Sequence, residues 1–115
     1  MRTIIAGSRH IDDLSFLQSI MLRLSWEPTV VLCGCADGVD ALGKRWAKEN
    51  SIKIEYYLAN WKKFGKAAGP MRNSKMVSNA EALVLVWDGK SKGSGDVLAK
   101  ARTKGLVIKE VIYER

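Results

Sequence analysis

Five short apolar runs punctuate the chain, and between successive runs lies a stretch whose apolar residues recur at helical spacing. The runs are Thr3-Ile4-Ile5-Ala6, Thr29-Val30-Val31-Leu32-Cys33, residues 52–58, Ala82-Leu83-Val84-Leu85-Val86-Trp87 and residues 106–113. The first helical stretch carries Leu14, Leu17, Met21 and Leu24 behind an Asp12-Asp13 pair able to cap it, and Trp26-Glu27-Pro28 ends it. The second, residues 39–49, places Val39, Leu42 and Trp46 on one face and closes at Asn50-Ser51. Residues 59–69 read as a loop, and Pro70 opens a third helix carrying Met76 and Ala80. The fourth helix includes Val97-Leu98-Ala99-Lys100-Ala101 and stops at Gly105. Apolar strands alternating with amphipathic helices predict an α/β fold, a parallel sheet covered on both faces. Right-handed crossovers narrow this to a single Rossmann-like three-layer domain over residues 1–115. Its five-stranded parallel sheet takes the order 3-2-1-4-5.

In such a sheet ligands bind beyond the carboxyl ends of the strands, where the winding reverses. That point lies between strands 1 and 4. Gly7-Ser8-Arg9 and the glycine-rich stretch 88–96 must flank it. The loops after strands 2 and 3 open on the same edge, with Gly34-Cys35-Ala36-Asp37-Gly38-Val39-Asp40 in one and Trp61, Lys62, Lys63, Lys66, Arg72 and Asn73 in or after the other. The opposite edge carries plain turns such as Asn50-Ser51 and Thr103-Lys104-Gly105. Glycines, cations and carboxylates thus collect at one edge, where a ligand site is expected.

The stretch Asp88-Gly89-Lys90-Ser91-Lys92-Gly93-Ser94-Gly95-Asp96 reads as a phosphate cradle. Glycine admits an anion close to the backbone, and N–H groups at a helix start point toward it. Arg9 reads as a phosphate or ribose ligand, and Arg72 as a cation placed near a helix start to meet an anion. Ser8 and Ser94 could donate to the same phosphate or serve as helix caps. Asp40 could hold a ribose hydroxyl or orient Arg9 or Arg72, while Asp37 suits an N-cap. Trp61 could stack on a base or simply pack. Lys62, Lys63 and Lys66 could draw phosphates inward. Trp46 and Trp87 read as structural, and His10 has no evident role. The net charge of +7 favours anionic ligands. Cys33, Cys35 and His10 do not make a tetrahedral zinc set, and neither metal nor cofactor is expected. The two thiols would point the same way on a strand and read as small structural residues. No apolar run reaches the length of a membrane span, and the start lacks a secretory signal, so the expected compartment is the cytoplasm.

Four groups of residues carry a family resemblance. They are Gly7-Ser8-Arg9; Gly34-x-Ala36-x-Gly38-x-Asp40; Trp61-x-x-x-Gly65-Lys66-x-x-Gly69-Pro70-x-Arg72-Asn73-x-x-Met76; and Gly89-x-Ser91-x-Gly93-Ser94. In this order they resemble the YspA-like, cpYpsA-related branch of the SLOG superfamily. The resemblance implies a Rossmannoid domain that binds a nucleotide or a nucleotide-derived ligand. Position at the sheet edge and the resemblance together give an expected ligand set of Gly7, Ser8, Arg9, Gly34, Asp40, Trp61, Lys66, Arg72, Asn73, Gly89, Ser91, Gly93 and Ser94. Relatives include the LOG phosphoribohydrolases, the single-strand-binding DprA proteins, and sensors of nucleotide signals in bacterial and phage conflict systems. The LOG enzymes carry an Arg-Lys-x-x-Met motif, which Arg72-Asn73-x-x-Met76 resembles with Asn for Lys. Their Pro-Gly-Gly-x-Gly-Thr-x-x-Glu motif is matched at Gly93-Ser94, but its catalytic Glu falls on Val97, with Asp96 one residue away. Cys35 and Val39 stand where the branch has Gly and Ala.

The expected function is therefore non-catalytic binding of a phosphorylated, nucleotide-like small molecule, as a sensor or sequestering module. Hydrolysis of a nucleoside monophosphate is the alternative, with Asp96 and Arg72 as its candidate catalytic residues. DprA-like binding of single-stranded DNA is the second alternative, consistent with the basic charge. A homodimer is expected by analogy with relatives.

Overall fold

A computed structural model describes residues 1–113. The parallel strands are β1 (Arg2–Gly7), β2 (Val30–Cys33), β3 (Lys53–Tyr56), β4 (Ala82–Trp87) and β5 (Val107–Ile112), in the order β3-β2-β1-β4-β5. Their register runs Thr3 beside Val31 on one side and beside Ala82 on the other. The helices are α1 (Leu14–Leu22), α2 (Val39–Glu49), α3 (Trp61–Phe64), α4 (Ala68–Ser78) and α5 (Lys92–Lys104). This is the Rossmann-like α/β architecture and strand order that the apolar pattern predicts.

Successive residues of a strand face opposite sides of a sheet, so a strand covered on both sides must be apolar throughout. β4 meets that condition along its whole length. One face of the sheet, with Ile4, Leu32, Leu83 and Leu85, packs against Met76 and Val77 of α4 and Val97, Leu98 and Ala101 of α5. The other, with Ile5, Val31, Val84 and Val86, packs against Leu17, Ile20 and Met21 of α1 and Val39, Leu42 and Ala47 of α2. Burial of each such Val, Leu, Ile or Met side chain contributes about 1.5–3 kcal/mol. Trp87 is buried with its indole N–H donated to Glu110, and Trp46 packs against the core, so both are structural.

Several local expectations need correction. Residues 59–69 are largely helical rather than a loop. Asn60 accepts from the Lys63 N–H and caps α3, a 3-10 turn follows over Gly65–Ala67, and α4 begins at Ala68. Pro70 is therefore the third residue of α4, still within the first turn, where its missing N–H costs no intrahelical bond. The first helix ends at Leu22, short of Leu24 and Trp26, because the Trp26 indole N–H donates to Thr3 Oγ1 and draws the chain back to the sheet. The glycine-rich loop is also shorter than its composition suggests. α5 begins at Lys92 and takes in Gly93, Ser94, Gly95 and Asp96. Two glycines in a helix cost roughly 1 kcal/mol each. Burial of Val97, Leu98 and Ala101 against the sheet outweighs that cost. Cys33 ends β2 buried, whereas Cys35 lies beyond the strand, exposed, with a left-handed φ of 62°, so the two thiols do not share a strand face. Among the described residues no helix is long and apolar enough to cross a membrane.

Candidate functional site

A cleft of about 580 Å³ lies at the carboxyl ends of β1 and β4, where the winding reverses. That volume falls within the range of small-molecule sites. Its floor includes Ala6, Met76 and Val97, and its walls come from the segments after β1, β2, β3 and β4. Of the predicted ligand set, Gly7, Ser8, Arg9, Asp40, Trp61, Lys66, Arg72, Asn73, Ser91, Gly93 and Ser94 line it. Gly34 and Gly89 do not. Gly89 serves the turn, at φ 79°. Gly34 lies behind the wall, where a Cβ would stand 2.8 Å from Asp40 Oδ2 and 2.9 Å from Arg72 Nη1. Its lack of a side chain lets the carboxylate and the guanidinium approach the backbone.

β1 delivers its loop through Gly7, at which a Cβ would collide with the Val86 carbonyl at 1.8 Å. The strands can therefore stay paired only with glycine there. Ser8 is buried, and its hydroxyl accepts from the Asp88 N–H and bonds the Ser91 hydroxyl. It joins the two loops across the switch point. Asp88 Oδ1 accepts from the N–H groups of Lys90 and Ser91 and from the Ser91 hydroxyl. Those N–H groups, above all, hold the Asp88 carboxyl down at about 2.

Ser91 is the N-cap of α5, yet its side chain makes no capping bond to the helix. Its hydroxyl is turned instead to Asp88 and Ser8. The first N–H groups of any α-helix lack intrahelical acceptors. In α5 they belong to Lys92, Gly93 and Ser94, all on the cleft wall. A helix start of this kind offers N–H donors and a partial positive charge to an anion. Ser94 is buried at the same wall.

Arg72 lies five residues into α4, past the first turn, so the unfavourable placement near a helix start expected for it does not arise. It donates from Nη1 to the Gly34 carbonyl and from Nε to Asn73 Oδ1. Asn73, itself buried, donates from Nδ2 to the Gly93 carbonyl and to Asp96 Oδ2. Asp96 is also ion-paired with Lys100 at 2.9 Å, and Lys100 donates on to the Pro70 carbonyl. This relay locks α4 to α5 beneath the cleft. Asp40, in the first turn of α2, is 5% exposed. Burial pushes its carboxyl above the usual range, opposed by the Ala36 N–H, by Arg72, by the Gly7 backbone and by Arg9. On the outer rim, the Arg9 guanidinium lies 6.0 Å from the Trp61 ring centroid. Trp61 packs across Gly69 and stays 49% exposed.

His10, Ala36, Lys92 and Pro70 also line the cleft but were not among the predicted ligands. Lys92 and Ala36 sat inside glycine-bearing segments, so a signal for them existed. Nothing in the spacing marked His10 or the Asn73–Asp96 bond.

The sequence profile of the YspA, cpYpsA-related SLOG family (YAcAr) matches residues 1–64, more than half of the chain. The chain belongs to this family. Its matched region holds the Gly7–Arg9 turn, the Gly34–Asp40 segment and Trp61, while Arg72, Asn73 and the start of α5 lie beyond it. The SLOG family assignment places the chain in nucleotide- and nucleic-acid-related chemistry in general terms. The gene 61 protein of Mycobacterium phage D29 is 29% identical over 116 aligned residues, 93% of each chain. The fold is similar to that of DNA processing protein A (DprA) from Streptococcus pneumoniae, with a TM-score of 0.78 and 16% identity. That similarity covers 98% of this chain and 50% of the DprA chain, so this chain spans half of its structural neighbour.

Proposed function

We propose that this chain binds a nucleotide or nucleotide-derived phosphorylated ligand in the cleft, as a non-catalytic sensor or sequestering module. The observation that carries the reading is the uncapped start of α5 opening onto a cleft whose lining has four basic side chains, Arg9, Lys66, Arg72 and Lys92, against the carboxylates of Asp40 and Asp96. The phosphate sits against the N–H groups of Lys92, Gly93 and Ser94, and Arg9 and Lys66 complete its neutralisation. Arg72 acts from the wall through Gly34 and Asn73. The exposed face of Trp61 takes the base.

The test is a thermal-shift screen of nucleoside mono- and diphosphates and cyclic nucleotides, with wild type beside Arg9→Ala and Arg72→Ala. A ligand at 100 times its dissociation constant adds about 2.7 kcal/mol of stability. Stabilisation of wild type that is weakened in Arg9→Ala supports the reading. No stabilisation by any nucleotide overturns it.

A hydrolase reading has one observation in its favour, and it concerns Asp40 rather than Asp96. Asp96 is tied to Lys100 and Asn73, whereas Asp40 lines the cleft buried and with its proton affinity raised, as a general acid or base requires. Release of free base from a bound monophosphate, abolished in Asp40→Asn, would establish it. DprA-like binding of single-stranded DNA is supported by three exposed aromatic rings, each facing a cation: Trp61 with Arg9, Tyr56 with Lys44 and Phe64 with Lys63. Binding of an oligonucleotide that weakens steeply with salt would favour it over a mononucleotide site.

A further inference from the structure

The outer face of α1 is set apart from the rest of the surface by its charge. From Leu14 to Leu22 the helix holds no charged side chain. The other four α-helices all carry cations, among them Lys48 on α2, Lys63 on α3, Lys75 on α4 and Lys104 on α5. Leu17, Ile20 and Met21 turn into the core, which leaves Ser15, Ser19 and Leu22 exposed along the outside. Leu22 is 87% exposed, more than any other large apolar side chain among the described residues. The charges stand at the two ends of this line. Asp12 lies just ahead of the helix and Arg23 just after it, both exposed. Among the described residues neither has an ion-pair partner within the chain. They are about three turns of helix apart, which puts both on one flank of the Ser15–Ser19–Leu22 line.

We propose that two copies of the chain associate through this face, their α1 helices antiparallel about a two-fold axis. In a two-fold contact the same patch serves both copies, so like charge in the patch meets itself. A chain of net charge +7 repels its copy across most of its surface. A helix with no charge along its length avoids that cost. An antiparallel two-fold keeps the flank and reverses the ends, so Asp12 of each copy meets the partner's Arg23. A parallel pairing would set aspartate against aspartate and arginine against arginine, and would align the helix dipoles unfavourably. Surface ion pairs of this kind fix orientation more than affinity. Affinity comes from Leu22, which leaves water over the partner's Ser15. Ser19 lies near the axis, where its small side chain lets the helices approach. No residue of α1 lines the cleft, so this contact stands apart from the ligand reading.

Sedimentation equilibrium of the full chain across a dilution series tests the contact. Every substitution falls at an exposed position, and circular dichroism checks that each variant is folded. Wild type shows a monomer–dimer equilibrium. Ser19→Arg sets two like charges together near the axis and weakens the dimer at least about tenfold. Asp12→Arg and Arg23→Asp each turn two ion pairs into two repulsions and weaken it at least about fivefold. Combining Asp12→Arg with Arg23→Asp restores both pairs in reverse and returns the dimer to within about threefold of wild type. A wild type that stays monomeric at every concentration overturns the proposal. A dimer that Ser19→Arg leaves unchanged places the contact elsewhere and also overturns it. Single charge changes that weaken the dimer without recovery in the double variant rule out the antiparallel arrangement, and the proposal with it.

Discussion

Helices α1 and α5 follow the two strands that flank the switch point, and their starts are built in opposite ways. At α1 the N-cap Asp13 turns its carboxylate onto the Phe16 N–H and closes the helix with its own anion. At α5 the N-cap Ser91 turns its hydroxyl away, onto Asp88 and Ser8, and the start is left facing the cleft. Both capping residues belong to types that favour helix starts. What separates a structural start from one available to a ligand is where the capping side chain spends its bonds. Asp88 makes the difference. By accepting three bonds from the turn it draws the Ser91 hydroxyl off the helix.

The contrast breaks most severely where both starts share a foundation. Gly7→Ala drives a Cβ into the Val86 carbonyl, so β1 and β4 must separate. A loss of more than about 3 kcal/mol, or no folded protein, is expected in denaturant titration. Asn73→Ala removes the link between Arg72 and Asp96 at a buried position and leaves their polar groups without it. The expected loss is about 2 kcal/mol, by the same titration. Ser91→Asp erases the contrast itself, supplying α5 with an anionic cap like that of α1. Nucleotide affinity measured by calorimetry should fall at least about tenfold, while the new cap, worth about 0.3–1 kcal/mol, offsets part of the stability lost with the Ser91 bonds to Asp88 and Ser8. Asp13→Ala is the mirror experiment. It should cost about 1 kcal/mol in thermal unfolding and leave nucleotide affinity unchanged.

The smallest expected effect lies away from both starts and serves as a control. The Glu55 carboxyl is held at about 2, first by its hydrogen bond from Arg2 and next by that from the Tyr57 hydroxyl. The unfolded chain takes up this proton near 4.5, whereas the folded chain resists until about 2. Stability from this group is therefore complete above 4.5 and drains as pH falls toward 2. Glu55→Gln should flatten that part of the acid-unfolding curve without changing ligand affinity.

The fold was legible because the core is simple. An apolar β4, short apolar runs beside it and amphipathic spacers leave one arrangement, which buries the central strands on both faces and sets the more polar β3 and β5 at the edges. Most of the cleft lining was legible for a related reason, since the topology brings the carboxyl-end loops together wherever their side chains point. Side-chain commitments were not legible. Ser8 reads as a phosphate donor until its hydroxyl proton is seen to go to Ser91 Oγ, whose own proton goes to Asp88. Asp96 reads as a spare carboxylate until Lys100, one helical turn on, is seen to neutralise it. Two glycines in the first turns of α5 read as loop, because burial of Val97 and Leu98 against a distant sheet decides the helix.

The central claim is that the open start of α5 receives the phosphate, and amide chemical-shift mapping during titration with nucleoside monophosphates reads it most directly. The largest saturable shifts should fall on Lys92, Gly93 and Ser94, with smaller ones at Arg9, and should vanish in Ser91→Asp. Shifts that leave these three amides unmoved, or that gather instead around the exposed Tyr56 and Phe64, would contradict it.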